Sequence, residues 1–298
     1  MSRVTRHTSH VTCHTSQKMR DFLVSKEEIR NIHKIFRGRF GNILVNMVFH
    51  IMGIPKINEF YDGSKHLTGA EFTTHSLDRH GIIRIVENSE VLDSFPEEPF
   101  ITVSNHPYGH IDGIVAISVV AAKRPDYKIM VNWMLMRIDT MEENFIGVNP
   151  YSKGSKMASV KSSVSGLIKC LEHIREGHPL GFFPAGGVST SHFTYTKDRE
   201  WQEPVLKLIK KAKLPVIPMY ISGTNSWLYR FMGFIDWRFR MVRLFHEVAN
   251  KRGKKIHIRF GEPIPVEEQA KFDDLKAFGE FLKKKTYDLQ KERSPGVI

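Results

Sequence analysis

Short apolar runs and longer helix-like stretches alternate along the chain from about residue 80 onwards. Apolar runs of roughly four to eight residues between Pro, Gly, Asn or Asp predict strands, whereas apolar residues three and four positions apart predict helices. The predicted strands are 100–104, 127–131, 180–183, 215–221 and 255–260, and the predicted helices are 112–122, 155–177, 203–213 and 266–290. Such alternation is typical of an α/β fold, so we predict a central, mostly parallel sheet flanked by helices.

The N-terminal part of the chain follows another pattern. Residues 1–24 are polar, rich in Thr, Ser and His, and without periodicity, so we expect a disordered leader there. Residues 25–79 are expected to form a helical region, and residues 80–298 the α/β domain. Within the helical region, segments 25–37 and 43–54 predict an amphipathic helical hairpin with a basic fringe.

The predicted hairpin begins with a capping signal. Ser25 and Glu28 are three residues apart, which is the spacing of a capping box. The apolar residues that follow on one helical face are Ile29, Ile32, Ile35 and Phe36. Such a helix can lie in a membrane interface or pack as an ordinary helix, and the sequence leaves both interpretations open.

Composition excludes several classes of protein. Hydrophobic residues make up 41% and charged residues 26% of the 298 positions, which argues against a disordered or fibrous chain. The only two cysteines, Cys13 and Cys170, neither build a disulfide framework nor complete a cysteine-based zinc site. The net charge of +12 favours an anionic partner, such as nucleic acid, an anionic membrane or an acidic carrier or substrate, and does not choose among them.

The first candidate site follows the predicted strand 100–104, in the stretch VSNHPYGHIDG. His106 and Asp112 are separated by five residues that include Pro107 and Gly109, and a tight turn there can bring the two side chains together. A carboxylate bonded to one imidazole nitrogen fixes the tautomer and leaves the other nitrogen as a general base. The alternatives are that Asp112 is a helix N-cap and that His106 is a structural histidine.

Two further stretches also combine a strand with turn residues. LGFFPAGGVST, at 180–190, places two glycines after a strand, where the backbone can approach a ligand and offer its amides. LPVIPMYISGT, at 214–224, is a buried strand entered through one proline and bearing another. Read alone, the first of these stretches indicates a tight turn and the second a core strand.

In this order, the three stretches resemble the motif blocks of the glycerolipid acyltransferase family, which includes the lysophosphatidate acyltransferases. Asn105-His106 with Asp112 correspond to the family's first block, 183–189 to its third block and 215–218 to a later one, and 261–264 is similar to the end of the family's last strand. The resemblance implies that His106 and Asp112 are catalytic. It implies substrate binding by the remaining residues of the first and third blocks, namely Asn105, Pro107, Gly109, Phe183, Pro184, Ala185, Gly186, Gly187 and Ser189.

The departures from the family pattern bear on the acceptor. The His-to-Asp spacing is one residue longer than the common form and resembles the branch of hemolysin-like and amino-acid-lipid acyltransferases. Ala185 and Val188 stand where the phosphate-acceptor enzymes carry Glu and Arg. Because Val188 cannot make a bidentate contact to phosphate, a lyso-amino-acid lipid of the glycine or ornithine type becomes the expected acceptor.

A lysine-rich segment lies between the first and third blocks. Lys153 and Lys156 are expected near a turn and helix start, where the family carries a basic residue that can face an anionic head group. The alternative is that they are solvated surface lysines.

Together these features predict an O-acyltransferase of membrane lipid biosynthesis. The donor is expected to be acyl carrier protein or acyl-coenzyme A, no metal or redox cofactor is expected, and the enzyme would sit peripherally on the cytoplasmic face of a membrane. The alternatives are a 1-acylglycerol-3-phosphate acyltransferase and a non-catalytic lipid-binding relative. A nucleic-acid partner is not expected, because no recognisable nucleic-acid motif accompanies the charge.

The positive charge is unevenly distributed. Residues 1–60 carry a net +6, residues 61–200 a net −3 and residues 201–298 a net +9. Because the predicted catalytic loops lie in the acidic middle part, clusters such as Lys251-Arg252 and 283–285 are expected to bind the lipid surface or the acidic carrier outside those loops.

Overall fold

The computed structural model describes residues 21–149, 157–191, 196–235 and 237–290. The helices are α1 (Lys26–Ile32), α2 (Gly41–Ile51), α3 (Ile54–Asp62), α4 (Gly69–Arg79), α5 (His110–Lys123), α6 (Met157–Arg175), α7 (Glu203–Ala212), α8 (Trp227–Ile235), α9 (Trp237–Ala249), α10 (Val266–Gln269) and α11 (Leu275–Asp288). The strands are β1 (Ile83–Glu87), β2 (Ile101–Ser104), β3 (Lys128–Asn132), β4 (Phe145–Val148), β5 (Leu180–Phe182), β6 (Thr190–Ser191), β7 (Thr196–Lys197), β8 (Val216–Ile221) and β9 (Lys255–Phe260). Most of the predicted leader, residues 1–20, lies outside the described residues.

Seven of the described strands form one sheet in the order β1-β9-β8-β2-β5-β3-β4. β8, β2, β5, β3 and β4 run parallel to one another, whereas β9 is antiparallel to β8 and parallel to β1. The predicted α/β fold, with a mostly parallel sheet flanked by helices, is therefore confirmed. Strands β2 and β8 are buried along their whole length, as expected for central strands covered by helices on both faces.

Helix α1 begins as predicted but ends earlier. Ser25 Oγ accepts from the Glu28 amide at 3.2 Å, and Glu28 Oε2 accepts from the Ser25 amide at 2.9 Å, so the capping box is confirmed. α1 then ends because His33 adopts an extended backbone and its Nδ1 accepts from the Ile35 amide. The prediction of one continuous apolar face was therefore wrong, and Ile32 and Ile35 are exposed.

The N-terminal helices share their core with the sheet. Ile29, Ile57 and Phe72 are buried in the same apolar cluster as Ile117 of α5 and Ile258 of β9. Val24 is also fixed to this region, since its amide and carbonyl both bond to the Asn58 side chain. The N-terminal region is thus packed continuously with the α/β part of the fold. No helix among the described residues is long and apolar enough to cross a membrane.

Candidate active site

The chain turns directly from β2 into a loop that carries His106 and then into α5. Asp112 lies in the first turn of α5, and its Oδ2 accepts hydrogen bonds from the backbone N–H groups of Tyr108 at 2.9 Å and Gly109 at 2.8 Å. The same oxygen lies 2.9 Å from His106 Nδ1. The structure therefore brings the two predicted catalytic side chains together, and α5 begins two residues before Asp112 rather than using it as the N-cap.

The two side chains differ in their exposure to solvent. The Asp112 side chain is 0% exposed, whereas that of His106 is 18% exposed. Burial raises the pKa of Asp112, and the neighbouring His106 and the hydrogen bonds from the Gly109 and Tyr108 amides act in the opposite direction. Asp112 Oδ1 is buried without a hydrogen-bonding partner among the described residues. An acceptor can therefore approach the imidazole, while the carboxylate behind it is excluded from water.

Asn105 fixes the catalytic loop to the neighbouring strand. Its Nδ2 donates to the Ile221 carbonyl and its Oδ1 accepts from the Ile221 amide, both at 2.8 Å. Both ends of the side-chain amide are thus engaged by the backbone at the end of β8. The substrate contact predicted for Asn105 stays a prediction, and what the geometry supports is a role in positioning His106.

The third-block loop lies against the first. The Ser189 amide donates to the His106 carbonyl at 2.8 Å, and Ser189 Oγ donates to Asp198 Oδ1. The Phe183 ring packs against the His106 ring, with centroids 4.5 Å apart. These contacts join the two loops that the sequence singled out.

The other predicted substrate-binding residues differ in their exposure to solvent. Gly186 is exposed, and Gly187 and Phe183 are half-buried. The buried members of the set, which shape the loops from within, are Asn105, Pro107, Gly109, Pro184, Ala185 and Ser189. Gly186 has a φ of +63°, and its amide already donates to the Phe183 carbonyl at 2.9 Å. Its neighbour Gly187 is therefore the better candidate for an amide that faces a ligand.

Arg199 supplies a positive charge to this turn that the motif did not predict. Its Nε donates to the Ala185 carbonyl at 2.7 Å, and one terminal nitrogen donates to the Gly186 carbonyl at 2.9 Å. The guanidinium is exposed and spans the turn in which Val188 replaces the family's arginine. The turn therefore has a cation beside it, which weakens the inference drawn from Val188 alone.

Tyr108 and Gly223 show how closely the loop is fitted to the end of β8. The Tyr108 hydroxyl donates to the Ser222 carbonyl at 2.9 Å. A Cβ on Gly223, where φ is +120°, would lie only 1.6 Å from that hydroxyl oxygen. Glycine is therefore required at position 223 for the tyrosine to reach its partner.

A buried ion pair lies behind Tyr108. Lys251 Nζ lies 3.1 Å from Glu247 Oε2, donates to Asn225 Oδ1 at 3.0 Å, and lies 4.7 Å from the Tyr108 ring centroid. Asn225 Nδ2 in turn donates to the Tyr108 carbonyl at 3.2 Å. Burial lowers the pKa of Lys251, and the neighbouring Glu247 opposes this.

This geometry corrects the expected placement of one lysine in each of two basic clusters. Lys251 is buried, and so is Lys283, whose Nζ donates to the Asp198 and Arg199 carbonyls, both at 3.0 Å. Both lysines therefore support the loops around the site and do not belong to an outer docking surface. A lysine in a charged run is normally solvated, and nothing local in the sequence marks these two as buried.

One predicted pair of lysines lies outside the described residues, and one cluster of possible metal ligands lies away from the site. The predicted anion-binding residues Lys153 and Lys156 are not among the described residues. Of the described side chains, His173, Glu176 and His178 are close enough to hold a metal ion. They precede β5 and lie near the amino end of that strand, whereas His106 follows the carboxyl end of the parallel strand β2. They therefore take no part in the site.

The family of the protein follows from comparison with known sequences. A sequence model of the acyltransferase family matches residues 31–296, nearly the whole chain. The chain therefore belongs to the acyltransferase family and is an enzyme of the transferase class.

Two individual proteins are similar to the chain at low sequence identity. The chain is 27% identical over 259 residues to the lyso-glycine lipid O-acyltransferase of Bacteroides thetaiotaomicron, a match that covers 83% of this chain and 89% of that protein. Among solved structures, it is similar to the 1-acyl-sn-glycerophosphate acyltransferase PlsC from Thermotoga maritima. That match has 17% sequence identity and a TM-score of 0.49, and covers 90% of this chain and 96% of the other.

Proposed function

We propose that the protein transfers a fatty acyl group from an acyl thioester to the hydroxyl of a lyso-lipid, and that a lyso-glycine lipid is its acceptor. The observation that carries the proposal is the partly exposed His106 imidazole, held 2.9 Å from the fully buried Asp112 carboxylate. The relative that acts on lyso-glycine lipid, at 27% identity, supports the choice of acceptor.

In the proposed reaction, His106 acts as the general base. With its Nδ1 protonated and facing Asp112, the imidazole has its Nε2 free to take the proton of the acceptor hydroxyl. The hydroxyl oxygen forms the new ester bond, the carbon–sulfur bond of the thioester breaks, and the proton passes from His106 to the departing thiolate. Asp112 stabilises the imidazolium that forms between these steps. The Gly187 amide is the candidate donor to the developing oxyanion.

The glycine head group offers a carboxylate, and Arg199 is the residue that we propose binds it. The guanidinium is held by two backbone carbonyls of the third-block turn, so its position is fixed before substrate binds. A pre-oriented guanidinium matches the two oxygens of a carboxylate and equally those of a phosphate. Lysophosphatidate is therefore the competing acceptor.

The acyl donor is proposed on electrostatic grounds, and the location on the exposed apolar residues of α2. Acyl carrier protein is acidic, and the net charge of +12 would favour its docking, although acyl-coenzyme A would serve the same chemistry. The exposed apolar residues of α2, which are Ile43, Met47 and Ile51 together with the preceding Phe40, would hold the enzyme peripherally on a membrane. The reaction as written uses no metal or redox cofactor.

The acceptor is tested by competition. Purified enzyme receives one labelled acyl donor with equal amounts of lyso-glycine lipid and lysophosphatidate. We expect preferential acylation of the lyso-glycine lipid, and a clear preference for lysophosphatidate would contradict the assignment.

The role of Arg199 is tested with a matched pair of variants. Arg199→Gln should raise KM for the lyso-glycine lipid about tenfold and leave KM for its methyl ester unchanged, since the ester lacks the charge. Lys197→Gln, which removes an exposed charge two residues away, is the control. Equal KM values for Arg199→Gln and wild type would refute carboxylate binding by Arg199.

A further inference from the structure

Helix α8 has an apolar face that no described part of the chain covers. Trp227, Phe231 and Ile235 follow one another at intervals of four residues, so they lie on the same side of the helix. Their exposed fractions are 72%, 46% and 62%. The Trp227 and Phe231 rings are stacked, with centroids 5.3 Å apart. A continuous exposed aromatic patch of this kind marks an interaction surface.

The start of α8 is fixed to the catalytic loop. Asn225 Nδ2 donates to the carbonyls of Pro107 at 3.4 Å and Tyr108 at 3.2 Å, next to His106. Trp227 is two residues further along the chain, which is a distance of at most about 7 Å. The apolar face therefore begins beside the loop that carries the catalytic imidazole.

Helix α9 fixes α8 from the other side. The Ser226 amide donates to Glu247 Oε2 at 2.8 Å, and Ser226 Oγ donates to Glu247 Oε1 at 2.6 Å. The preceding residue of α9 is His246, whose ring packs against Gly53 and whose Nε2 lies 3.2 Å from the His50 carbonyl oxygen. Helix α9 thus connects α8 to the end of α2, which has an exposed apolar stripe of its own.

Charge and composition favour a lipid bilayer as the occupant of this face. Residues 201–298, which include α8, carry a net charge of +9, and residues 1–60, which include α2, carry +6. Basic segments with an exposed apolar face bind the surface of anionic bilayers. Tryptophan is also the side chain that prefers the membrane–water interface, because it combines an apolar ring with a polar N–H.

We propose that α8 is a second membrane-contact helix, whose Trp227, Phe231 and Ile235 enter the interface of an anionic bilayer together with the apolar stripe of α2. This contact holds the catalytic loop against the surface in which a lipid acceptor is dissolved. Only that consequence rests on the proposed function, because binding of the bilayer is independent of acyl transfer.

The proposal is tested by flotation of the full chain with vesicles of phosphatidylcholine and phosphatidylglycerol, without substrates. The Trp227→Ser, Phe231→Ser double variant should bind at least about tenfold more weakly than wild type, because both aromatic anchors are lost. Ile168→Ser is the control, since Ile168 lies on α6 and is 49% exposed, close to the 46% of Phe231. The control should bind within about twofold of wild type, and thermal unfolding shows whether each variant is folded.

Fluorescence adds a direct readout of Trp227. Vesicles with brominated acyl chains should quench wild type more than Trp227→Phe, because only the wild type has an indole at this position. Both proteins retain the other three tryptophans. Equal quenching of the two proteins would overturn the proposal.

Three further outcomes are decisive. Equal vesicle binding by the double variant and wild type would overturn the proposal. If wild type is a dimer in solution, a double variant that is monomeric but binds vesicles normally would assign this face to a second copy of the chain and overturn the proposal as well. Normal vesicle binding by a wild type that transfers no acyl group would contradict the proposed function and leave α8 as a membrane-contact helix.

Discussion

The backbone N–H of His106 donates to Asp198 Oδ1, which lies 3.3 Å away and 92 residues later in the chain. The same oxygen accepts from Ser189 Oγ, and the other carboxylate oxygen accepts from Trp201 Nε1 at 3.2 Å. One buried carboxylate thus connects the catalytic loop, the third-block turn and the segment that supplies Arg199. The spacing between the two loops depends on this side chain.

Replacement of Asp198 by Ala should affect both stability and rate. Three donors, two of them buried, lose their acceptor, so the free energy of unfolding should fall by about 2–4 kcal/mol. The rate of transfer should fall about tenfold with little change in KM, because the imidazole is less well placed and binding contacts remain. Denaturant unfolding and steady-state kinetics measure the two effects. Ser189→Ala, which removes one of the three donors, is the milder control, and a wild-type rate in Asp198→Ala would contradict the positioning role.

Gly223→Ala tests the close fit at the end of β8. The added methyl group would overlap the Tyr108 hydroxyl and force the catalytic loop to move. We expect a loss of about 3 kcal/mol or more in unfolding free energy and a lower rate. Gly177→Ala is the matched control, since Gly177 also has a positive φ, of +91°, but no atom within 4 Å of the added carbon. If both variants lose the same stability, the overlap is not the cause.

The unfolding free energy should fall as the pH is lowered below neutrality. Burial, assisted by the charge of His106, lowers the pKa of His110 from 6.5 to about 4. Between these values the unfolded chain binds a proton that the folded protein does not, so the stability present above pH 6.5 is lost as the pH falls towards 4. The loss should be on the order of 2–3 kcal/mol.

The variant His110→Gln should reduce this pH dependence. It should not remove it, because burial also lowers the pKa of His173 to about 4 and contributes in the same direction. Urea unfolding at a series of pH values measures the slope. An unchanged slope in His110→Gln would show that other groups cause the acid sensitivity.

Asp112→Asn should separate stability from activity. The asparagine oxygen can still accept from the Tyr108 and Gly109 amides, and a buried charge is removed, so the unfolding free energy should be unchanged or higher. The rate should fall about 100- to 10,000-fold, since no carboxylate remains to stabilise the His106 imidazolium. Thermal unfolding and acyl-transfer assays on the same preparation check both parts. A near-normal rate would show that the carboxylate charge is not needed.

Local patterns in the sequence predicted much of the fold. Strands β2, β3, β5, β8 and β9 were expected because each is a short apolar run between chain-breaking residues. β1 was missed because its partly exposed edge position leaves a weaker pattern, and β4, at the other edge of the sheet, was missed as well. Helices α8 and α9 lie between two predicted strands where no element was expected.

Of the candidate site, too, only a part could be predicted from the sequence. His106 and Asp112 were placed together because only a short turn separates them. Asp198, Asn225 and Lys251 reach the same loop from distant parts of the chain, and which residues they meet depends on how α8, α9 and α11 fold back. No spacing rule connects such residues, so only the structure shows them. An acidic residue between a strand and a Trp, as at Asp198, is too common a pattern to predict this contact.

The most direct test of the account is the rate of acyl transfer by His106→Ala. Purified wild type and variant, both shown to be folded by thermal unfolding, receive a labelled acyl thioester and lyso-glycine lipid, and the diacylated product is measured by mass spectrometry. The account predicts a loss of at least about 1,000-fold, because alanine cannot take the acceptor proton in place of the imidazole. Near-normal turnover by the folded His106→Ala variant would contradict it.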